Sequence, residues 1–160
     1  MKKIFIILTI FLCIKSSAQT ENRIFFAQLM VVFSDIENHF DYLKGDLKAT
    51  QGDESYYETI RTLDGTKDNV ITISSTSSAY QAMINDSTSG EASEIILNSW
   101  KQKMDEALTG MFSPAVEFHS QNDAGTRGYQ YSSDKLNVFL LRHKSEDGNH
   151  FWINLVIRPK

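Results

Sequence analysis

Three histidines, His119, His143 and His150, fall in the last third of the chain, near Glu117, Glu146 and Asp147. Two imidazoles and a carboxylate form a donor set for a divalent metal. An imidazole beside a carboxylate is also the pair that general acid–base chemistry uses. The spacing supports neither strongly. Histidines one helical turn apart would mark a zinc site, whereas His143 and His150 are separated by a stretch that reads as a turn. Folded as a hairpin, that stretch would bring them to one face as diagonal neighbours, about 7–8 Å apart. Glu117 or Asp147 would then be the nearest third ligand, and the plainer expectation is a pair of sheet-surface histidines.

The carboxylate pairs Asp35/Glu37, Asp53/Glu54, Asp105/Glu106 and Glu146/Asp147 are neighbours in sequence. Neighbours do not converge on one point in a helix, and nothing separates their environments as acid–base catalysis requires. No serine sits in a Gly-x-Ser-x-Gly elbow. Gly125 and Gly128 are not followed by the Lys-Ser/Thr of a phosphate loop. The sequence therefore assigns no catalytic residue, no metal and no cofactor.

A different kind of chemistry is legible in the final hairpin. Residues 136–144 and 150–158 flank Glu146-Asp147-Gly148-Asn149, and a two-residue turn at Asp147-Gly148 pairs Arg142 with Ile153 and His143 with Trp152. One face then carries Leu136, Val138, Leu140, Phe151, Ile153, Leu155 and Ile157, and must be core. The other carries Asn137, Phe139, Leu141, His143, Trp152, Asn154, Val156 and Arg158. That set is too apolar for free water and too polar for an ordinary core. Trp and Arg dominate interaction hot spots, so Phe139, His143, Trp152, Asn154 and Arg158 are the candidate binding residues.

The N-terminus supplies an address. Lys2 and Lys3 precede the apolar run Ile4–Ile14, and Lys15-Ser16-Ser17-Ala18 follows with small residues at 16 and 18. This is the pattern of an export signal, residues 1–18, cleaved before Gln19. The run falls short of the roughly 20 residues that span a bilayer as a helix, so no transmembrane segment is expected in the mature chain. The mature protein is expected to be periplasmic or secreted. Loss of three lysines leaves 13 basic against 20 acidic side chains, a net charge of −7. Such a balance disfavours nucleic acid and anionic membrane surfaces. The sole cysteine, Cys13, leaves with the leader, so packing alone must hold the domain together.

Residues 19–160 are long enough for a single domain with its own core. Leu29, Phe33, Ile36, Phe40 and Leu43 step by four, three, four and three, which predicts a helix over 24–44. Its start, Ile24 to Phe33, is apolar nearly all round, and so is either deeply buried or in contact with a partner. Residues 46–54 read as a polar loop. Strands are expected over 56–63, 70–74 and 79–84, then a loop over 85–90. Thr88 and Glu91 have capping-box spacing ahead of a second helix over 90–109 with the stripe Ile96, Leu97, Trp100, Met104, Ala107, Leu108. Strands around 116–119 and 129–131 and the final hairpin complete the chain.

The expected fold is α+β: an antiparallel sheet of roughly six to seven strands with two helices on one face. The first functional expectation is a small non-catalytic exported binding protein, taking an unknown protein or small ligand at the outer face around Trp152. Two alternatives follow from other features: an immunity or inhibitor protein against a basic enzyme or toxin, from the charge, and an enzyme with a site around His119 and His143. The oligomeric state is not written in the sequence.

Overall fold

A computed structural model of the chain describes residues 22–160. The expected leader therefore lies outside the described residues. The order is α1 (22–34), a 3-10 turn (Ile36–Asn38), β1 (Lys44–Gln51), β2 (Glu54–Thr59), β3 (Asp68–Ile73), β4 (Ser78–Thr88), α2 (Gly90–Leu108), β5 (Val116–His119), β6 (Arg127–Ser132), β7 (Leu136–Lys144) and β8 (Phe151–Pro159). All eight strands join one antiparallel sheet in the order β1-β2-β3-β4-β8-β7-β6-β5. Each half is a helix followed by a four-stranded meander, and the halves meet where the last strand of one pairs with the last strand of the other.

The eighth strand is β1, where the sequence predicted a loop. Most of its residues are exposed, because it is an edge strand and neither face buries an apolar row. Polar composition there reflects position in the sheet rather than absence of a strand. Likewise β4 continues through Asn85–Thr88, which had read as loop.

Helix α1 stops at residue 34, nine residues before its apolar spacing ends at Leu43. Asp35 is 4 % exposed, and one carboxylate oxygen accepts the Leu43 backbone N–H at 3.0 Å while the other accepts from Asn38 Nδ2 at 3.2 Å. His39 and Phe40 take left-handed backbone angles, φ 54° and 64°. The chain therefore reverses through a knot of local bonds. Ile36, Phe40 and Leu43 still reach the core, and this keeps the helical-looking spacing alive beyond the helix.

The second helix begins differently from the capping-box reading. Ser89, not Thr88, is the N-cap, and its hydroxyl accepts the Ala92 N–H. The apolar stripe behaves as expected: Leu97, Met104 and Leu108 are buried, with Ile96, Trp100 and Ala107 packed against them. Across the core, α1 contributes Phe25, Leu29 and Val32, and the strands contribute Ile71, Tyr80, Ala82, Tyr131, Val138, Leu140, Ile153, Leu155 and Ile157. The two helices also touch: the rings of Phe25 and Trp100 meet edge-on at 5.5 Å.

One glycine is obligatory by close approach. Gly128 on β6 pairs with Leu141, and a Cβ there would lie 1.9 Å from the Leu140 carbonyl oxygen. The position belongs to the outer face. With no side chain at 128, the Phe118 ring reaches Phe139 edge-on at 5.3 Å. Gly128→Ala must displace backbone on β7, and urea unfolding should show a loss of at least about 3 kcal/mol. A loss under about 1 kcal/mol would mean that β6 and β7 are not this close.

Candidate functional site

The final hairpin has the expected register, with Arg142 opposite Ile153 and His143 opposite Trp152, although its loop spans residues 146–149 and turns through a Gly148 N–H to Ser145 carbonyl bond rather than at Asp147-Gly148 alone. Alternation along β7 and β8 sends Leu136, Val138, Leu140, Ile153, Leu155 and Ile157 into the core. Asn137, Leu141, His143, Trp152, Asn154 and Val156 stay half-buried on the other face. Rows across the sheet continue this outer face onto β4 through Gln81, opposite Val156, and Met83, opposite Asn154. On the other side they reach β6 through Gln130, opposite Phe139.

All five candidate binding residues therefore share one surface. Phe139 is nearly inaccessible, although it points away from the core. Phe118 covers one side of it, and the Arg158 guanidinium sits 4.6 Å above its ring, a cation–π arrangement. The His143 ring stacks on Trp152 with centroids 5.3 Å apart and planes 10° from parallel. His143 Nε2 lies 2.8 Å from the side-chain oxygen of Asn154.

Sequence reasoning missed the second half of the His143 environment. The loop between β5 and β6 brings Thr126 Oγ1 to 2.8 Å from His143 Nδ1, and the Thr126 hydroxyl donates to Asp123 Oδ2. Asp123 also accepts the Gly125 N–H at 2.9 Å, and its carboxyl is held below the ordinary carboxylate range chiefly by the Thr126 bond. No residue spacing advertises this contact, because a loop fold makes it. Thr126, His143 and Asn154 have the connectivity of a nucleophile, base and orienting amide. The hydroxyl oxygen, however, is enclosed: Thr126 is 6 % exposed and held by Asp123 on one side and His143 on the other.

Thr126 has one hydroxyl proton and gives it to Asp123, so His143 Nδ1 donates to Thr126. Nε2 faces the Asn154 side-chain amide, which can present either its oxygen or its NH2 to the ring. Burial pushes the imidazole below its ordinary 6.5, outweighing the Asn154 bond and Asp123.

The other titratable candidates do not gather here. His119 pairs with Arg127, which pairs with Arg142, so it lies on the opposite sheet face from His143. With Glu117, Glu94 and Arg127 it borders a cavity of only about 60 Å³. The site joining His119 to His143 is therefore not assembled. His150 is exposed, with Nδ1 3.3 Å from Ser87 Oγ. Among the described residues no group of three or more His, Cys, Asp or Glu side chains is placed to hold a metal ion.

On the helix side, Arg142 is pinned beneath the start of α2. Its Nε donates to Ser93 Oγ at 2.7 Å and lies 3.3 Å from Glu94, and its guanidinium stacks 3.7 Å from the Phe151 ring centroid. Glu94 also binds Arg127. A cation at a helix N-terminus is unfavourable on its own, and the shared Glu94 carboxylate compensates it.

No protein-family model matches this chain, and comparison with curated proteins and with solved structures finds no match to either. Among the described residues, no helix is long and apolar enough to cross a membrane.

Because the folded-state pKa of His143 lies below its unfolded value, the unfolded chain binds more protons in that window, and stability falls as pH drops below about 6.5. Asn154→Asp puts a carboxylate on Nε2 and favours the imidazolium. An NMR titration should find the His143 pKa raised by about one unit or more. An unchanged value would mean that Nε2 does not face residue 154.

Proposed function

We propose that this chain is an exported, non-catalytic binding protein that holds a protein partner against the outer face of its sheet, at Trp152, His143, Asn154 and Arg158, with the covered Phe139 ring supporting Arg158 from beneath. The observation that carries the reading is the placement of that mixed aromatic and polar face on the side of the sheet away from both helices.

The chemistry of the patch fits binding better than turnover. Both His143 nitrogens are engaged, so the ring has no free site for a substrate proton. Thr126 is enclosed, leaving no room for an electrophile beside its oxygen. Clefts of about 680 and 660 Å³ lie elsewhere, one lined by Ser34, Glu37 and Lys135 and the other by Phe26, Lys103 and Met111. Small ligands favour concave sites, whereas a broad surface with an aromatic centre and an arginine suits a protein. Arg158 is exposed at the rim, and among the described residues no carboxylate pairs with it. A complementary partner offers a carboxylate next to an apolar contact.

The inhibitor reading rests on net charge. Six of the chain's 20 acidic side chains, Glu37, Asp41, Asp68, Asp86, Glu94 and Asp105, are engaged by Lys or Arg of the same chain.

The test is affinity capture from the envelope and culture fluid of the producing cell, using tagged wild type, Trp152→Ala and Arg158→Glu. A protein retained by wild type should be weakened about tenfold or more by each substitution. Arg158→Glu changes an exposed side chain that also lies over the Phe139 ring, so circular dichroism first checks that each variant is folded. Equal retention by all three chains rules out this face as the binding surface.

A further inference from the structure

Helix α1 carries apolar side chains on both of its sides. Phe25, Leu29 and Val32 are buried in the core, yet Ile24, Phe26, Met30 and Val31 are 37 to 48 % exposed, with exposed Ala27 among them. At 3.6 residues per turn these five outward residues cover an arc of roughly 160°. Arg23 and Ser34 sit at the two ends of this face, and α1 carries no carboxylate.

Two neighbours widen the strip. Ile60, 63 % exposed, lines a cleft with Ala27 and Val31. Met111, 38 % exposed, lines another with Phe26. The combined apolar surface is on the order of 500 Å², the upper end of what an ordinary monomer exposes in one place.

We propose that the mature protein forms a homodimer by packing this α1 face against the same face of a second copy. The size is appropriate: a stable interface needs about 800 Å² from each partner, and the strip with a rim of Arg23, Arg61, Thr62 and Glu106 is on that scale. The charge is permissive, because two copies related by a two-fold axis bring no carboxylates together at the centre. The net −7 of each mature copy acts at long range and is screened within about 8 Å in physiological salt.

Other occupants are less well matched. After cleavage before Gln19, only Gln19, Thr20 and Glu21 precede α1, too short and polar a tail to fold back over the strip. An anionic lipid surface would repel a chain of this charge, and an interfacial helix needs a Lys/Arg-rich polar side, whereas the second side of α1 is core. Both sheet edges resist strand addition: β1 is interrupted by two register shifts, and β5 has four residues. The tail argument shares the cleavage reading with the proposed function, but the dimer does not depend on the Trp152 face.

The experiment is sedimentation equilibrium of the exported protein, its N-terminus confirmed by mass spectrometry, with Met30→Glu and Val31→Glu beside Leu47→Glu as a control on exposed β1. Circular dichroism checks that each variant is folded. Wild type and Leu47→Glu should dimerise with a micromolar dissociation constant. The α1 variants should be weakened about a hundredfold. A wild type that stays monomeric up to about 100 μM overturns the proposal. So does a dimer that Leu47→Glu disrupts and the α1 variants do not. A monomer that floats with phosphatidylethanolamine–phosphatidylglycerol vesicles would assign the strip to lipid instead. Capture lost in Trp152→Ala while dimerisation persists would separate the two surfaces.

Discussion

The pairing of β4 with β8 is the constraint on which the rest of the molecule depends. Each half is a helix and a four-stranded meander, and side chains of both helices and both meanders share one core. Joined at Tyr80–Ile157, Gln81–Val156 and Ala82–Leu155, the two sheets become one. Tyr80, Ala82, Leu155 and Ile157 then form the middle of a continuous core, each of them 0 % exposed. Full burial of such side chains contributes about 1.5–3 kcal/mol for each large one, and here that gain accrues only when both halves are present. The same junction leaves the reverse face of β8 and β7 without a covering layer. The candidate site is thus a consequence of how the sheet is closed.

Polar groups inside the core tie α2 to the sheet and neighbouring strands to each other. Tyr131 Oη donates to Asp105 of α2 at 2.9 Å, and Tyr80 Oη donates to Asn69 Oδ1 at 2.7 Å. Burial holds both phenols protonated, well above their ordinary range. Arg142 ties β7 to Ser93 and Glu94 of α2 from below, directly behind His143 and Trp152 on the outer face. A rigid support beneath the patch reduces the ordering cost that a flexible surface incurs on binding.

The register of the last hairpin was legible because its strands alternate cleanly, but its turn was not: the Gly148 N–H bonds to the Ser145 carbonyl, so the reverse turn is centred on Glu146-Asp147 inside a four-residue loop rather than on Asp147-Gly148. With the register came the shared face of Phe139, His143, Trp152, Asn154 and Arg158, since parity alone settles which residues stand together. The end of α1 was not legible. Ile36, Phe40 and Leu43 bury themselves from a 3-10 turn and a left-handed reversal, and burial, not helicity, sets their spacing. Strand β1 was hidden by its edge position, where polar residues are tolerated on both sides. The Asp123–Thr126–His143 chain was hidden for another reason: its partners are joined by a loop path, which has no period. The near-continuous apolarity of Ile24 to Phe33 did carry information, because the structure buries only one side of it.

Native-state hydrogen exchange of the backbone amides in β4 and β8 tests the single-sheet account most directly. If the halves are one cooperative unit, the protected amides of residues 80–84 and 153–157 exchange only through global unfolding and share one opening free energy. Exchange of one half at a clearly lower free energy than the other would show two sheets that open separately. The junction that creates the outer face would then be a weak contact rather than the centre of the fold.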